Sequence, residues 1–277
     1  MSFKIGIMQG RLSKVIDGKI QSFPKNSWKN EFFLANDLGF ELIEWVLDDD
    51  LWTNPILSKG NFSEIAKLKS ETGVGINSIC CDYFMQHSLS THVKSFKKKN
   101  LEIFNFLIEK SCPENEIKII DLPLIGSNSL KNKKVADDYK NLFSKLEKKL
   151  LANNLTIALE SDLNPDEMKN FLKNVNNQFI KVNYDMGNSA FWSFDIKKEF
   201  LYYGQLISNV HIKDCTPKDY TVPLGSGNVD FIKVLQLLKD NNYEGDFILQ
   251  AARSKNNIQT AKEQLKFSKD FISKYFL

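Results

Sequence analysis

The sequence predicts an α/β fold, a single (β/α)8 TIM barrel, and three observations predict it. Strand-like and helix-like stretches alternate along the whole chain in eight units, which implies parallel strands joined by right-handed crossovers. The length of 277 residues is close to the roughly 250 that one such barrel uses. Four successive apolar runs, Leu155–Glu160, Phe179–Asp185, Ile207–His211 and Phe247–Gln250, each finish on a polar side chain. In a closed barrel all four would meet at the C-terminal mouth, where this fold keeps its chemistry.

The elements follow in order. Phe3–Met8 is the first strand, and the turn-rich segment after it carries Gly10, Gly18 and Pro24. Ser27 is a good N-cap for a helix that runs to Leu38 and stops at Gly39. Glu41–Trp45 is a short second strand, and Asn61 caps a helix over Phe62–Thr72. Val74–Cys80 is the third strand, with a long helix over His92–Lys110, and Ile117–Leu122 is the fourth. Leu142, Leu146 and Leu150 recur at helical spacing and predict a helix over Val135–Ala152. Asn164-Pro165-Asp166 starts the helix after the fifth strand, with proline at the first helical position. An aromatic-rich helix over Phe191–Tyr203 follows the sixth strand, Phe231–Asn241 follows the seventh, and Ile258–Tyr275 closes the chain. No internal repeat or composition break divides residues 1–277, so one domain is expected.

Composition narrows the function. Lys plus Arg is 37 against 34 for Asp plus Glu, a net charge of +3. That is too small to argue for nucleic acid or a membrane surface. Cys80, Cys81, Cys112 and Cys215 form no CxxC pair, so buried free thiols are expected. The start of the chain enters a strand directly, and no apolar run approaches about 18 residues. A cytoplasmic enzyme acting on a small molecule is the plain reading, and the sequence specifies no interface for a homo-oligomer.

Glu160 and Asp185 offer hard oxygen ligands, His211 a nitrogen, and Gln250 a neutral amide oxygen. That set suits one divalent ion, Mn²⁺, Mg²⁺, Co²⁺ or Zn²⁺, without choosing among them. Lysine occurs 35 times and arginine only twice, as Arg11 and Arg253. These lie just beyond the first and eighth strands, which are neighbours in a closed barrel. The guanidinium fork suits a carboxylate or phosphate, so an anionic substrate is one reading. Each arginine tying down a loop is the other. The Gly225-Ser226-Gly227 loop could add backbone N–H donors to an anion. Trp45 is expected to line a pocket at the same rim.

Several stretches now carry a resemblance: Ile5–Leu12 (IGIMQGRL), Ile43-Glu44-Trp45, Ala158–Ser161 (ALES), Asn183–Asn188 (NYDMGN), Val210–Asp214 (VHIKD), Pro223–Phe231 (PLGSGNVDF) and Tyr243–Arg253 (YEGDFILQAAR). Over essentially its whole length the chain resembles the xylose-isomerase-like TIM-barrel superfamily of sugar isomerases and epimerases. The resemblance implies a metal held by Glu160, Asp185, His211 and Gln250, with Glu160 also the base. It implies proton transfer beside a keto-sugar's carbonyl through a metal-stabilised enediolate, the substrate being a sugar phosphate or sugar acid. Lys213 would bond a substrate hydroxyl or the enediolate, unless it pairs with Asp214.

Gln250 departs from the pattern. Related epimerases use two glutamates, and a glutamine exchanges no proton at ordinary pH. Glu44, Asp82, Lys213 and Asp214, at or just beyond strand ends, are the candidates for a replacement near the substrate. The departure also keeps open a metal-dependent dehydratase of a keto-polyol, which needs one base, and a non-catalytic sugar-binding barrel. With only His87, His92 and His211, the chain lacks the many histidines of the superfamily's DNA-repair endonuclease branch.

Overall fold

The computed structural model describes residues 3–51 and 53–277. Eight parallel strands close in sequence order: β1 Ile5–Met8, β2 Leu42–Val46, β3 Ser78–Cys80, β4 Ile119–Leu124, β5 Thr156–Ser161, β6 Ile180–Asp185, β7 Ile207–Ile212 and β8 Phe247–Leu249. Closure is by pairing of β1 with β8, Ile7 lying opposite Leu249. The main helices around the barrel are α1 Trp28–Leu38, α2 Phe62–Thr72, α3 Lys94–Phe106, α4 Lys133–Phe143, α5 Pro165–Val175, α6 Ile196–Tyr203, α7 Phe231–Asp240 and α8 Asn257–Tyr275. None of the described helices is long and apolar enough to cross a membrane.

Local chemistry explains most boundaries. Asn164 accepts from the Glu167 amide at 3.0 Å while Glu167 accepts from the Asn164 amide at 3.0 Å, a reciprocal cap on α5. A cap of this kind stabilises a helix by about 1 kcal/mol. Gly39 ends α1 at a φ of 86°, a left-handed turn that suits glycine. Two helices differ from expectation. Val135–Ala152 splits into α4 and the short helix Glu147–Ala152. Tight bonds from Lys145 to Leu142 and from Leu146 to Phe143 turn the chain between them, so both Leu146 and Leu150 are buried. The helix expected over Phe191–Tyr203 is helical only from Ile196 as α6, and a separate short helix, Met186–Phe191, precedes it. Asp195 caps α6 by accepting from the Lys197 amide at 3.0 Å.

Two apolar clusters form. The larger lies between the strands and the helices. The smaller, Met8, Leu42, Val46, Cys80 and Ile248, fills part of the barrel interior. Gly6 permits that filling, because a Cβ there would sit 2.8 Å from both Leu42 Cβ and Ile248 Cδ1. Much of the rest of the interior is polar. Side chains alternate along a strand, so Val210 and Ile212 join the large core while Asn209 and His211 turn inward. The β6–β7 register shifts between Val182 and Asn183, which sets Asn183 opposite Asn209 and Asp185 opposite His211. That irregularity brings two inward polar pairs side by side.

Candidate active and metal site

Glu160, at the end of β5, is 6% exposed. Its two oxygens accept from Asn188 Nδ2 at 2.7 Å and Asn183 Nδ2 at 2.9 Å. Its Oε2 also lies 3.4 Å from His211 Nδ1. The far side of the His211 ring meets Glu44 Oε1, 2.7 Å from Nε2. A carboxylate that takes the Nε2 proton fixes the ring and turns Nδ1 toward the mouth, the arrangement common behind metal-binding histidines. Asp185 caps the helix Met186–Phe191, accepting from the Asn188 amide at 2.8 Å. Its other oxygen accepts from Lys213 Nζ at 3.3 Å, and Lys213 also donates to Asn188 Oδ1 at 2.8 Å. The Lys213 ammonium lies 3.9 Å from the centre of the Tyr220 ring, a cation–π contact.

The electrostatics follow from burial and crowding. Burial opposes ionisation of Glu160, but His211 and Lys213 outweigh it and hold the carboxyl below its ordinary value. Burial alone would also discharge His211 and Lys213, yet Glu44 and Glu160 raise the first and Asp185 the second. Asp121 on β4 is driven far upward by burial and then by Glu160. Both Asp121 oxygens are buried without a partner, as are Gln250 Oε1 and Asn183 Oδ1.

This interior accommodates a cation. Four buried carboxyls, Glu44, Asp121, Glu160 and Asp185, share it with one lysine and one imidazole. Ligand-type atoms of Asp121, Glu160 and His211 lie within 4.8 Å of one another, and so do those of Glu44, Cys80 and Asp121. Asp185 belongs to neither group, being turned onto Lys213. Oxygen donors with one imidazole, plus an orphaned amide oxygen on Gln250, suit a hard or borderline divalent ion.

A cavity of about 350 Å³ opens above this layer. Arg11, Gln21, Cys80, Asp82, Glu160, Lys213, Tyr220 and Gln250 line it. Thus Glu160, Lys213, Gln250, Arg11 and Asp82 reach one space, as expected. Four other expectations need correction, at Glu44, Trp45, Asp214 and Arg253. Glu44 is fully buried and is taken up by His211, Ser78 and Asn209, so it orients the imidazole from below and meets no substrate. Trp45, its neighbour on the strand, faces outward. It packs against Phe23 and edge-on to Trp28, each 5.6 Å away by ring centres, and donates to Asn54.

Asp214 is also fully buried, and it accepts from the amides of Gly225 at 2.9 Å, Gly227 at 2.8 Å and Val229 at 3.2 Å. The anion cradled by the glycine loop is therefore Asp214 itself. A Cβ at Gly227 would fall 2.2 Å from Asp214 Oδ1, so the cradle requires glycine there. Lys213 pairs with Asp185, not Asp214.

The arginines do meet, both donating to the Ile20 carbonyl. Arg253 also donates to the Ser13 carbonyl and lies outside the cavity lining. Burial and then Arg253 bring Arg11 down to about 10. The loop-bracing reading therefore holds for Arg253. Asp121, Asn183, Asn188 and Gln21 were not singled out from sequence. An aspartate inside the apolar run Ile119–Leu124 was the available signal for Asp121. Nothing local marked Gln21.

Comparison with known proteins agrees with this architecture. L-ribulose-5-phosphate 3-epimerase UlaE of Escherichia coli K12 is 25% identical over 237 residues, covering 80% of this chain and 81% of that protein. A solved L-ribulose 3-epimerase superposes with a TM-score of 0.77 at 17% identity, covering 99% of this chain and 96% of that one. A xylose isomerase-like TIM barrel protein of Mycobacterium smegmatis, solved in complex with magnesium, gives 0.74 at 18% identity, covering 100% and 98%. The sequence pattern of one family, the xylose isomerase-like TIM barrel, matches residues 32–271. With that match spanning most of a closed eight-stranded barrel, the chain belongs to the xylose isomerase-like TIM-barrel family.

Proposed function

We propose that this protein is a metal-dependent isomerase or epimerase of a keto-sugar, working by proton transfer at the carbon beside the carbonyl. The observation that carries the reading is Glu160: a buried carboxyl, each oxygen fixed by an Asn183 or Asn188 N–H, that opens onto a sugar-sized cavity. The L-ribulose-5-phosphate 3-epimerase relative, aligned over 80% of the chain, supports it.

In this reading Glu160, Asp185, His211 and Gln250 Oε1 hold one divalent cation. When bound, such an ion supplies Lewis-acid polarisation of the substrate's carbonyl and neighbouring hydroxyl. Glu160 removes the proton, a contribution of roughly 10²–10⁴ in rate. Asn183 and Asn188 each hold one Glu160 oxygen by an N–H donor, which fixes the carboxylate plane. Lys213, braced by Asp185 and Asn188, presents its charge to the cavity and offsets negative charge that grows on the substrate oxygens. Arg11 and Lys19 on the cavity wall favour an anionic substrate such as a sugar phosphate.

The test is a screen of L-ribulose 5-phosphate, free ketoses and sugar acids in D₂O, with Mg²⁺, Mn²⁺, Co²⁺ or Zn²⁺ added to chelated protein. Deuterium should enter the carbon beside the carbonyl without change of composition, and Glu160→Gln should abolish exchange from the epimer that Glu160 deprotonates. Loss of water from the product would establish the dehydratase, which Gln250 favours because one base suffices. Absence of exchange on every sugar with every metal would leave a binding protein.

A further inference from the structure

An epimerase needs a second group to deliver a proton to the other face of the carbon, and Gln250 has none to give. We propose that Asp82, just beyond β3, is that second acid–base residue, and that Gln250 positions it through Gln21. The proposal rests on the epimerase reading above.

Asp82 and Glu160 line the same cavity. They reach it from different walls, Asp82 after β3 and Glu160 at the end of β5, with Pro123 of β4 also on the lining. Asp82 is held from two sides. Gln21 Nε2 donates to its Oδ2 at 2.7 Å, and Cys80 Sγ donates to its Oδ1 at 3.4 Å. Gln21 is in turn fixed through its own oxygen, which accepts from Gln250 Nε2 at 3.2 Å and Arg11 Nη2 at 3.3 Å.

These bonds run in one direction, and the direction needs an amide at 250. A carboxylate there has no N–H for Gln21. Gln21 could answer only by turning its own amide, which would take the donor away from Asp82. The residue that cannot transfer a proton is thus the one that orients a residue that can.

The charged and titratable groups around Asp82 are Arg11 after β1, Asp48 after β2, Cys80 on β3 and Glu160 on β5. Burial, reinforced by Glu160 and Asp48 and opposed by Gln21 and Cys80, raises Asp82 to about 6. A carboxyl near neutrality can serve in either direction.

The step balances. Glu160 takes the proton from carbon, and the C–H electron pair becomes the C=C bond of an enediolate while the carbonyl pair moves to oxygen. The pair then returns to rebuild C=O as carbon takes the Asp82 proton on its opposite face. Glu160 ends protonated and Asp82 ionised, and exchange with solvent resets both. The reverse reaction exchanges their roles.

The experiment is deuterium exchange and inversion measured from both epimers, L-ribulose 5-phosphate and L-xylulose 5-phosphate first, in D₂O with Mg²⁺ or Mn²⁺. Asp82→Asn should lower inversion by about 10²–10⁴ from either epimer. It should abolish exchange from one epimer and spare exchange from the other, which Glu160 deprotonates. A purely structural role would not separate the two. Should the variant fold poorly, the wild type still decides. For the epimer that Glu160 deprotonates, the ratio of inversion to exchange should fall as pH rises through the titration of Asp82, which burial raises above the usual carboxyl range. Inversion within tenfold of wild type, an equal loss of exchange from both epimers, or a ratio flat with pH would each overturn the assignment while the epimerase reading stands. A wild type that exchanges no ketose removes that reading, and this one with it.

Discussion

Lys213→Met tests the electrostatic heart of the site. Lys213 is 4% and Asp185 also 4% exposed, and they meet at 3.3 Å. Removing the lysine leaves the Asp185 carboxyl without its counter-charge in a site that already crowds Glu160 and Asp121. Breaking a buried pair from one side costs about 3–5 kcal/mol. For 277 residues, an unfolding entropy of about 2.1 cal/mol/K per residue gives roughly 0.6 kcal/mol/K. The expected fall in Tm is therefore about 5–8 °C in chelated protein. Adding Asp185→Asn should recover much of it, since no uncompensated charge remains and the amide oxygen can still accept from the Asn188 N–H. The assay is a thermal and urea double-mutant cycle in EDTA. If the two substitutions simply add, or if Lys213→Met moves Tm by less than about 1 °C, the pair does not carry the energy assigned to it.

Other outcomes follow from the same geometry. Gln250→Leu removes an orphaned amide oxygen and the N–H held by Gln21. Metal affinity should fall about tenfold or more by calorimetric titration, the scale of losing one ligand or its support. Arg253→Lys should alter anionic and neutral sugars alike, because its guanidinium braces the Ser13 and Ile20 carbonyls outside the cavity. A rise in KM confined to phosphorylated sugars would contradict this.

Glu31 supplies a pH prediction. It accepts from the Gly10 amide at 2.8 Å and the Leu12 amide at 3.1 Å, and burial raises it from 4.5 to about 7. The folded state then binds more protons than the unfolded one between those values. Stability should be greatest below the unfolded pKa and fall as pH rises through about 7, by about 3 kcal/mol in all. Urea unfolding of wild type against Glu31→Gln at acid and mildly alkaline pH measures it, and an equal slope in both proteins would refute it.

Much of the site was legible because strand ends are. In a parallel barrel the last inward residues of each strand lie toward the mouth, so the polar endings pointed to the cavity that Glu160 and Gln250 line, while Asp185 is turned onto Lys213 and His211 onto Glu44. The two arginines were rare enough to notice, and closure of β1 on β8 did bring them together. Their work was not legible, because a guanidinium can donate to backbone carbonyls as well as to phosphates. Glu44 and Trp45 stand side by side in sequence, yet strand alternation sends one under His211 and the other out among Phe23 and Trp28. Which way a two-residue pattern faces depends on register, and the register came from pairing with β1 and β3.

The amino-acid order alone determined the alternation of elements, the closed parallel barrel and the polar ring at its mouth, since these depend on local periodicity and on the chirality of crossovers. Tertiary structure decided which charges are neighbours. Asp121 in the barrel wall, the Gln250–Gln21–Asp82 relay across 229 residues of sequence between its first two members, and the capture of the glycine loop by Asp214 all depend on distances in space. Electrostatic and hydrogen-bond energies fall off over a few ångströms, and separation along the chain does not report them.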